Sequence, residues 1–192
     1  MKTMLVYFHL LSLAAAFGSV LVAEYLIFSR HRQFSRDSYD TVIFASRTAT
    51  VSLLLLWLTG FGLVSVGYLG DPAYIANQKI WAKISIVLLM SINGVYIHRW
   101  LLPRFADVAS GGLLIRTAVE SARMRLAFAI SLAGWLITAF YGAAKFLNQG
   151  YLYGELYGLY LTVVVMIFVF SYLVPDHWIN HVHDGDTVTG PG

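Results

Sequence analysis

Residues 42–69, VIFASRTATVSLLLLWLTGFGLVSVGYL, decide the fold of this chain, because they form a long apolar run with a single charged side chain, Arg47. A helix of about 20 apolar residues crosses the ~30 Å hydrocarbon core of a bilayer. Four further segments reach that length: 4–28, 81–102, 126–147 and 156–174. The sequence therefore predicts an all-α polytopic transmembrane helix bundle of about five spans, forming one domain over residues 1–175, with a short tail over 176–192.

The composition agrees with a membrane location. Of the 192 residues, 58% are hydrophobic and only 12% are charged, too few polar groups to cover a water-soluble domain of this size. A lipid bilayer is therefore the first predicted partner. The net charge of +3 comes from basic residues in short loops and not from one continuous patch, so we predict no nucleic-acid partner.

The distribution of arginine predicts the orientation. The loop between the first two spans and the loop between the third and fourth are rich in arginine, whereas the other two loops are not. By the positive-inside rule, the N-terminus lies outside and the C-terminal tail lies inside the cell. The second Arg-rich loop includes residues 111–115, GGLLI, which fit either a short interfacial helix or a plain basic linker.

The absence of cysteine limits the chemistry. Iron–sulfur ligation, thiolate-bound zinc and thiol catalysis are excluded, so a metal or redox cofactor would use histidine, methionine, tyrosine or carboxylate ligands. No Gly-rich phosphate loop, Gly-x-Ser-x-Gly elbow or His-Glu-x-x-His motif occurs, which argues against hydrolases and nucleotide-driven proteins.

Ionisable residues inside spanning segments are costly, so each needs a partner or a function. One set lies near the predicted outer surface: His9, Lys83, Tyr141 and Lys145. Steps of three and four from His9 follow a strip of small residues that permits close helix packing, so we expect His9 to face protein. An imidazole there is either a haem iron ligand or a hydrogen-bonding clamp, and the two lysines either pair with haem propionates or extend to the headgroups.

A second set lies near the predicted inner surface. Glu24 and Arg47 are expected to form a structural ion pair between the first two spans. His98 is a candidate haem or proton-relay residue, or else a headgroup-level side chain beside Arg99. Beyond the last span, the tail carries His177, His181 and His183, which either bind a divalent ion or belong to a solvated end.

Two stretches carry a family resemblance. Residues 81–105, WAKISIVLLMSINGVYIHRWLLPRF, and 120–139, ESARMRLAFAISLAGWLITA, resemble the CopD-type membrane domain. A relative of that domain is the HemJ-type bacterial protoporphyrinogen oxidase, in which a histidine early in the first helix and a lysine opening a later helix are functional and haem b is bound. His9 and Lys83 match those two positions. The resemblance implies a bacterial inner-membrane protein.

Three functions follow as hypotheses. The first is a haem b-binding redox membrane protein that performs electron transfer or porphyrinogen oxidation, with His9 as the ligand of the metal. Such a protein would act alone, as a homodimer or in a larger membrane complex. The second is transport of copper or another small ion along the polar helix faces, with Glu24, Arg47 and His98 at the inner mouth. For copper, the chain offers Met1, Met4, His9 and Met90 as ligands. The third is a non-enzymatic accessory subunit of a membrane complex.

Overall fold

A computed structural model describes residues 2–29, 35–110, 118–148 and 150–173. Its six α-helices are α1 (Lys2–Ser29), α2 (Arg36–Gly70), α3 (Gln78–Tyr96), α4 (Leu102–Ala109), α5 (Ala118–Ala143) and α6 (Tyr153–Ser171). Short 3-10 helices cover Pro72–Ala76 and Lys145–Asn148. Within the described ranges every regular element is helical, which confirms the predicted all-α class. The tail, 176–192, and the loop, 111–117, lie outside the described residues.

Five helical stretches are long and apolar enough to cross a membrane, as predicted: Lys2–Ile27, Arg36–Gly70, Gln78–Asp107, Ala118–Ala143 and Tyr153–Ser171. The second begins six residues before the predicted segment. Its polar first turn starts at Ser35, whose hydroxyl accepts a hydrogen bond from the Ser38 backbone N–H at 3.2 Å. Hydropathy alone cannot include such a turn, because its residues are polar.

The third span changes its winding near one end. Residues Ile97–Leu101 form a π-helical turn between α3 and α4, and Pro103 is the second residue of α4. Proline has no backbone N–H, and its ring clashes with the carbonyl of the residue four positions earlier. The wider turn relieves that clash and carries His98. Single π turns often occur at functional positions, so His98 is a candidate functional residue.

The helices pack as two groups. α1 and α2 form a hairpin, while α5 packs against α3 and α6 and joins the two groups through α1. Small residues make the contact between the groups, since Ala16 of α1 and Ala129 and Ala133 of α5 are fully buried in one core. A cleft remains between the hairpin and the α3–α5 face, and it holds the candidate site.

Hydrogen bonds to backbone carbonyls connect the second group. The Asn93 amide of α3 donates to the Ala127 carbonyl of α5 at 2.8 Å. The Lys79 ammonium donates to the Ala144 carbonyl at 2.6 Å. Polar side chains buried in an apolar bundle need such partners, so these bonds fix the register of α3 against α5.

The outer surface of the bundle is apolar. Large side chains such as Phe44, Leu58, Leu69 and Phe170 are mostly exposed. A soluble monomer rarely presents so continuous an apolar surface. With five helices of spanning length, this surface identifies a multi-pass membrane protein in contact with lipid.

Candidate functional site

Two cavities share the cleft, and the Trp135 side chain of α5 lines both. The His9 cavity has a volume of about 200 Å³, and its walls include His9, Trp57, Gly60, Tyr74, Lys83 and Trp135. The Glu24 cavity has a volume of about 100 Å³, and its walls include Ser19, Glu24, Ser46, Thr50, His98 and Trp135. His9 and Glu24 are fifteen residues apart on α1, or about 22 Å along the helix axis.

The hydrogen bonds around His9 favour one tautomer. Nδ1 of His9 lies 2.8 Å from Oγ1 of Thr59 on α2. The Thr59 hydroxyl also lies 2.7 Å from the Leu55 carbonyl, which can only accept a hydrogen bond. When the Thr59 hydroxyl donates to that carbonyl, its oxygen accepts from His9, which favours the tautomer with the proton on Nδ1. Nε2 keeps its lone pair and has no hydrogen-bond partner among the described residues.

This arrangement matches that of metal-binding histidines. A ligating imidazole usually donates its second ring N–H to an oxygen, which fixes the ring orientation and the tautomer. Thr59 supplies that oxygen from the neighbouring helix. In that tautomer Nε2 is the ring nitrogen with a free lone pair.

Lys83 brings a positive charge into the same cavity. It is partly buried on α3, and none of the ion pairs among the described residues involves it. An ammonium group in a largely apolar cavity needs a compensating anion or access to water. A ligand that carries carboxylates would satisfy Lys83.

The remaining walls of the His9 cavity are mainly aromatic and aliphatic. Trp57 is held in place because its Nε1–H donates to Ser91 on α3 at 3.1 Å. Leu10 and Phe61 line the cavity and are more than half exposed, so the cavity opens on the membrane-facing surface. Flat aromatic walls with a lateral opening suit a large planar ligand that enters from the bilayer.

One predicted site residue, Tyr141, does not line this cavity. Tyr141 is fully buried, and its hydroxyl donates to the Leu156 carbonyl of α6 at 2.5 Å, so its side chain joins α5 to α6. Lys145 begins a short 3-10 helix, and its side chain lies outside the described part of the chain.

The predicted ion pair between Glu24 and Arg47 is not formed. One Glu24 carboxylate oxygen is buried without a hydrogen-bond partner, and the described ion pairs join other residues. Arg47 follows Ser46 by one residue, which turns its side chain about 100° around α2. It is exposed and lines a separate pocket near Pro103, away from Glu24.

His98 lies in the Glu24 cavity and not beside His9. Its Nε2 is 3.0 Å from the hydroxyl oxygens of both Ser46 and Thr50 on α2. The two histidines of the described chain thus occupy opposite ends of the cleft. Of the predicted cofactor residues, His9 and Lys83 therefore line one cavity and His98 lines the other.

The candidate copper ligands are not brought together in the described structure. Met90 packs against Gly134 and lines the Glu24 cavity, while His9 lines the other cavity. Met4 is mostly exposed. No group of three or more histidine, aspartate or glutamate side chains capable of holding a metal occurs among the described residues. Met1 and the tail histidines lie outside them.

Sequence reasoning did not find Thr59, Trp57 or Trp135. All three lie in apolar runs, and such runs predict only contact with lipid or with the core of the bundle. Thr59 and Gly60 do interrupt the run LLLLWLTGFGL. That interruption was the available indication that this part of α2 faces a polar partner.

No protein-family model, characterised protein or solved structure matches this chain.

Proposed function

We propose that this protein is a haem b-binding redox membrane protein in which His9 Nε2 ligates the haem iron. The supporting observation is the hydrogen bond from His9 Nδ1–H to Thr59, which leaves Nε2 free in a cavity between helices. Neutral histidine is a common axial ligand of haem iron. When bound, haem supplies one-electron chemistry, and the protein sets its orientation, ligation and dielectric.

The residues of the His9 cavity fit this group in three respects. His9 offers the ligand nitrogen, Lys83 offers a cation for a propionate, and Trp57 and Trp135 offer flat apolar walls. The volume of about 200 Å³ is below the ~300–1,000 Å³ of typical ligand pockets. The lateral opening beside Leu10 and Phe61 provides the further space that a porphyrin requires.

The sequence resemblance to CopD-type and HemJ-type domains supports the same function. Under this proposal the protein lies in a bacterial inner membrane and acts as an oxidoreductase, either in electron transfer or in porphyrinogen oxidation. Two observations on His9 and Lys83 support the proposal. Both residues match the functional positions of the resembling family, and both line one cavity.

Titration of the purified, pigment-free protein with hemin in detergent tests the proposal. Trp57 and Trp135 line the cavity, so bound haem should quench their fluorescence as a Soret band grows. We expect saturation near one haem per chain. If hemin instead bound without a fixed stoichiometry, as it does to detergent alone, the protein would have no specific haem site.

Thr59→Val is expected to weaken haem binding by roughly 10- to 100-fold, the usual effect of removing a hydrogen-bond acceptor behind a ligating histidine. Valine keeps the shape of threonine but cannot accept the His9 Nδ1 proton. The hemin titration measures the change. Thr162→Val is the matched control, because the Thr162 hydroxyl donates only to the Gly158 carbonyl on α6. Equal haem affinities of the two variants would show that Thr59 does not support haem binding.

Lys83→Met is expected to lower haem affinity while leaving the shape of the Soret band unchanged. The variant loses the cation for a propionate but keeps the iron ligand and a similar side-chain length. Lys83→Arg should retain most of the affinity, since it preserves the charge. A changed Soret band in Lys83→Met, with unchanged affinity, would place Lys83 near the iron instead of the propionates.

A further inference from the structure

We infer that the Glu24 cavity is a proton-binding site, with Glu24 as the group that holds the proton and His98 as the group that delivers it. The site is separate from the His9 cavity and does not depend on haem. The Glu24 carboxyl is isolated, His98 is within hydrogen-bond distance of two hydroxyls of α2, and His98 also lines a second pocket.

The Glu24 carboxyl has no compensating charge in the described structure. One of its oxygens is fully buried without a hydrogen-bond partner. The Ser19 hydroxyl in the same cavity already donates to the Ala15 carbonyl at 2.7 Å. An ionised carboxylate in a membrane interior is costly unless it is paired, whereas the protonated acid is neutral. The surroundings therefore favour Glu24 with a bound proton.

The hydrogen bonds of His98 suit proton delivery. The Thr50 hydroxyl proton is donated to the Ser46 carbonyl at 2.9 Å, so the Thr50 oxygen accepts from His98 Nε2–H at 3.0 Å. Neutral His98 then carries its lone pair on Nδ1. One ring nitrogen can accept a proton while the other releases one, which is the chemistry of an imidazole relay.

His98 also connects the Glu24 cavity to a wider pocket. That pocket has a volume of about 510 Å³ and is lined by His98 together with Tyr39, Arg47 and Asp107. It lies where the third span ends, near exposed Arg47 and Pro103. A proton can therefore reach His98 from the polar end of the bundle without crossing an apolar helix contact.

The step conserves charge and atoms. A proton from the wider pocket binds His98 Nδ1, and the Nε2 proton moves to the Ser46 hydroxyl oxygen, which lies as close to Nε2 as that of Thr50, at 3.0 Å. The Ser46 hydroxyl proton then moves through water to the Glu24 carboxylate. The Glu24 cavity, at about 100 Å³, exceeds the ~10–15 Å³ that one ordered water requires, so water has room to complete that path. The result is protonated Glu24 and a neutral imidazole, which exchanges its tautomer before the next transfer.

Few other titratable groups face these two residues within the described structure. α2 presents Ser46 and Thr50 to the Glu24 cavity, α5 presents Ser131, and the third span presents His98 as the one further titratable side chain. On the side of the wider pocket, His98 is faced by Tyr39 and Arg47 of α2 and by Asp107 of α4. The proton equilibrium at the site therefore belongs mainly to Glu24 and His98.

Dicyclohexylcarbodiimide labelling of the full-length protein tests the inference. The reagent adds to protonated carboxyls in apolar surroundings, and peptide mass mapping locates the adduct. We expect Glu24 to be labelled at neutral pH and the label to decline as pH rises. Exposed Glu155 is the internal control and should stay unlabelled. No adduct at Glu24 would mean that it is ionised, and protection by added Na⁺ would mean that it holds a metal cation; either result overturns the inference.

The role of His98 needs a rate measurement. The infrared band of the protonated Glu24 carboxyl, assigned by its loss in Glu24→Gln, should shift when the protein is mixed with D₂O. In His98→Phe we expect this exchange to be slower by roughly 100-fold, at the lower end of what a positioned proton-transfer group contributes. An unchanged rate would remove His98 from the path. Both experiments work on protein with or without pigment, so their failure is distinct from failure of the haem proposal.

Discussion

Replacing His9 with alanine is expected to eliminate the haem spectrum of the purified protein. The methyl side chain cannot coordinate iron, and no second histidine of the described chain lines the His9 cavity. Lys83 and the aromatic walls alone hold a porphyrin by charge and apolar contact, without orientation of the iron. Haem content per chain and the Soret band of His9→Ala, purified beside the wild type, measure the effect.

The matched control is His98→Ala, which removes the other intramembrane imidazole of the described structure. Because His98 lies in the Glu24 cavity, its loss should leave haem content near the wild-type level. Added imidazole should restore a spectrum to His9→Gly by occupying the vacated ligand position. If His98→Ala lost the pigment and His9→Ala kept it, the ligand assignment would be reversed.

Gly134→Leu is expected to disrupt the contact between α3 and α5 and, with it, both cavities. A Cβ atom at position 134 would collide with the Met90 thioether, so the Met90 side chain of α3 occupies the space that the glycine leaves on α5. Methionine can shift to admit one methyl group, but a leucine side chain forces the helices apart. Overpacking of this kind costs about 1–3 kcal/mol. Thermal unfolding in detergent should show a lower midpoint, together with lower haem content because the neighbouring Trp135 lines both cavities.

Gly158→Leu is the control for that substitution. A Cβ atom at position 158 of α6 meets no other atom within 4 Å, so leucine has free space there. This variant should unfold at the wild-type temperature. A Gly134→Leu protein as stable as Gly158→Leu would show that α3 and α5 separate easily, contrary to the packing described.

The fold followed from the sequence because bilayer thickness imposes a simple length requirement on apolar helices. All five spans were predicted on that basis, to within a few residues at most ends. The largest differences, eight residues at the start of α5 and six at the start of α2, arise because polar and charged residues form the first turns of both helices. The π turn before Pro103 was not predicted, because its position depends on how the helix accommodates the ring.

The site was only partly predictable. Helical periodicity correctly predicted that His9 faces the neighbouring helices. The depth of the two residues along their spans correctly placed His9 near Lys83, since both line one cavity. The partner of His9 was not found, since Thr59 lies fifty residues away and its contact depends on the register of α1 against α2. The same limitation produced the wrong Glu24–Arg47 pair: two charges at similar depth point to different faces, and periodicity within one helix does not fix its rotation against the next.

Haem ligation by His9 is tested by one absorption spectrum of the wild-type protein, purified in detergent after expression with adequate haem. The spectrum is recorded on the oxidised and then on the reduced protein. Coordination through His9 Nε2 predicts a Soret band that shifts on reduction, with about one haem b per chain. A colourless protein that also fails to gain this spectrum with added hemin would contradict the claim.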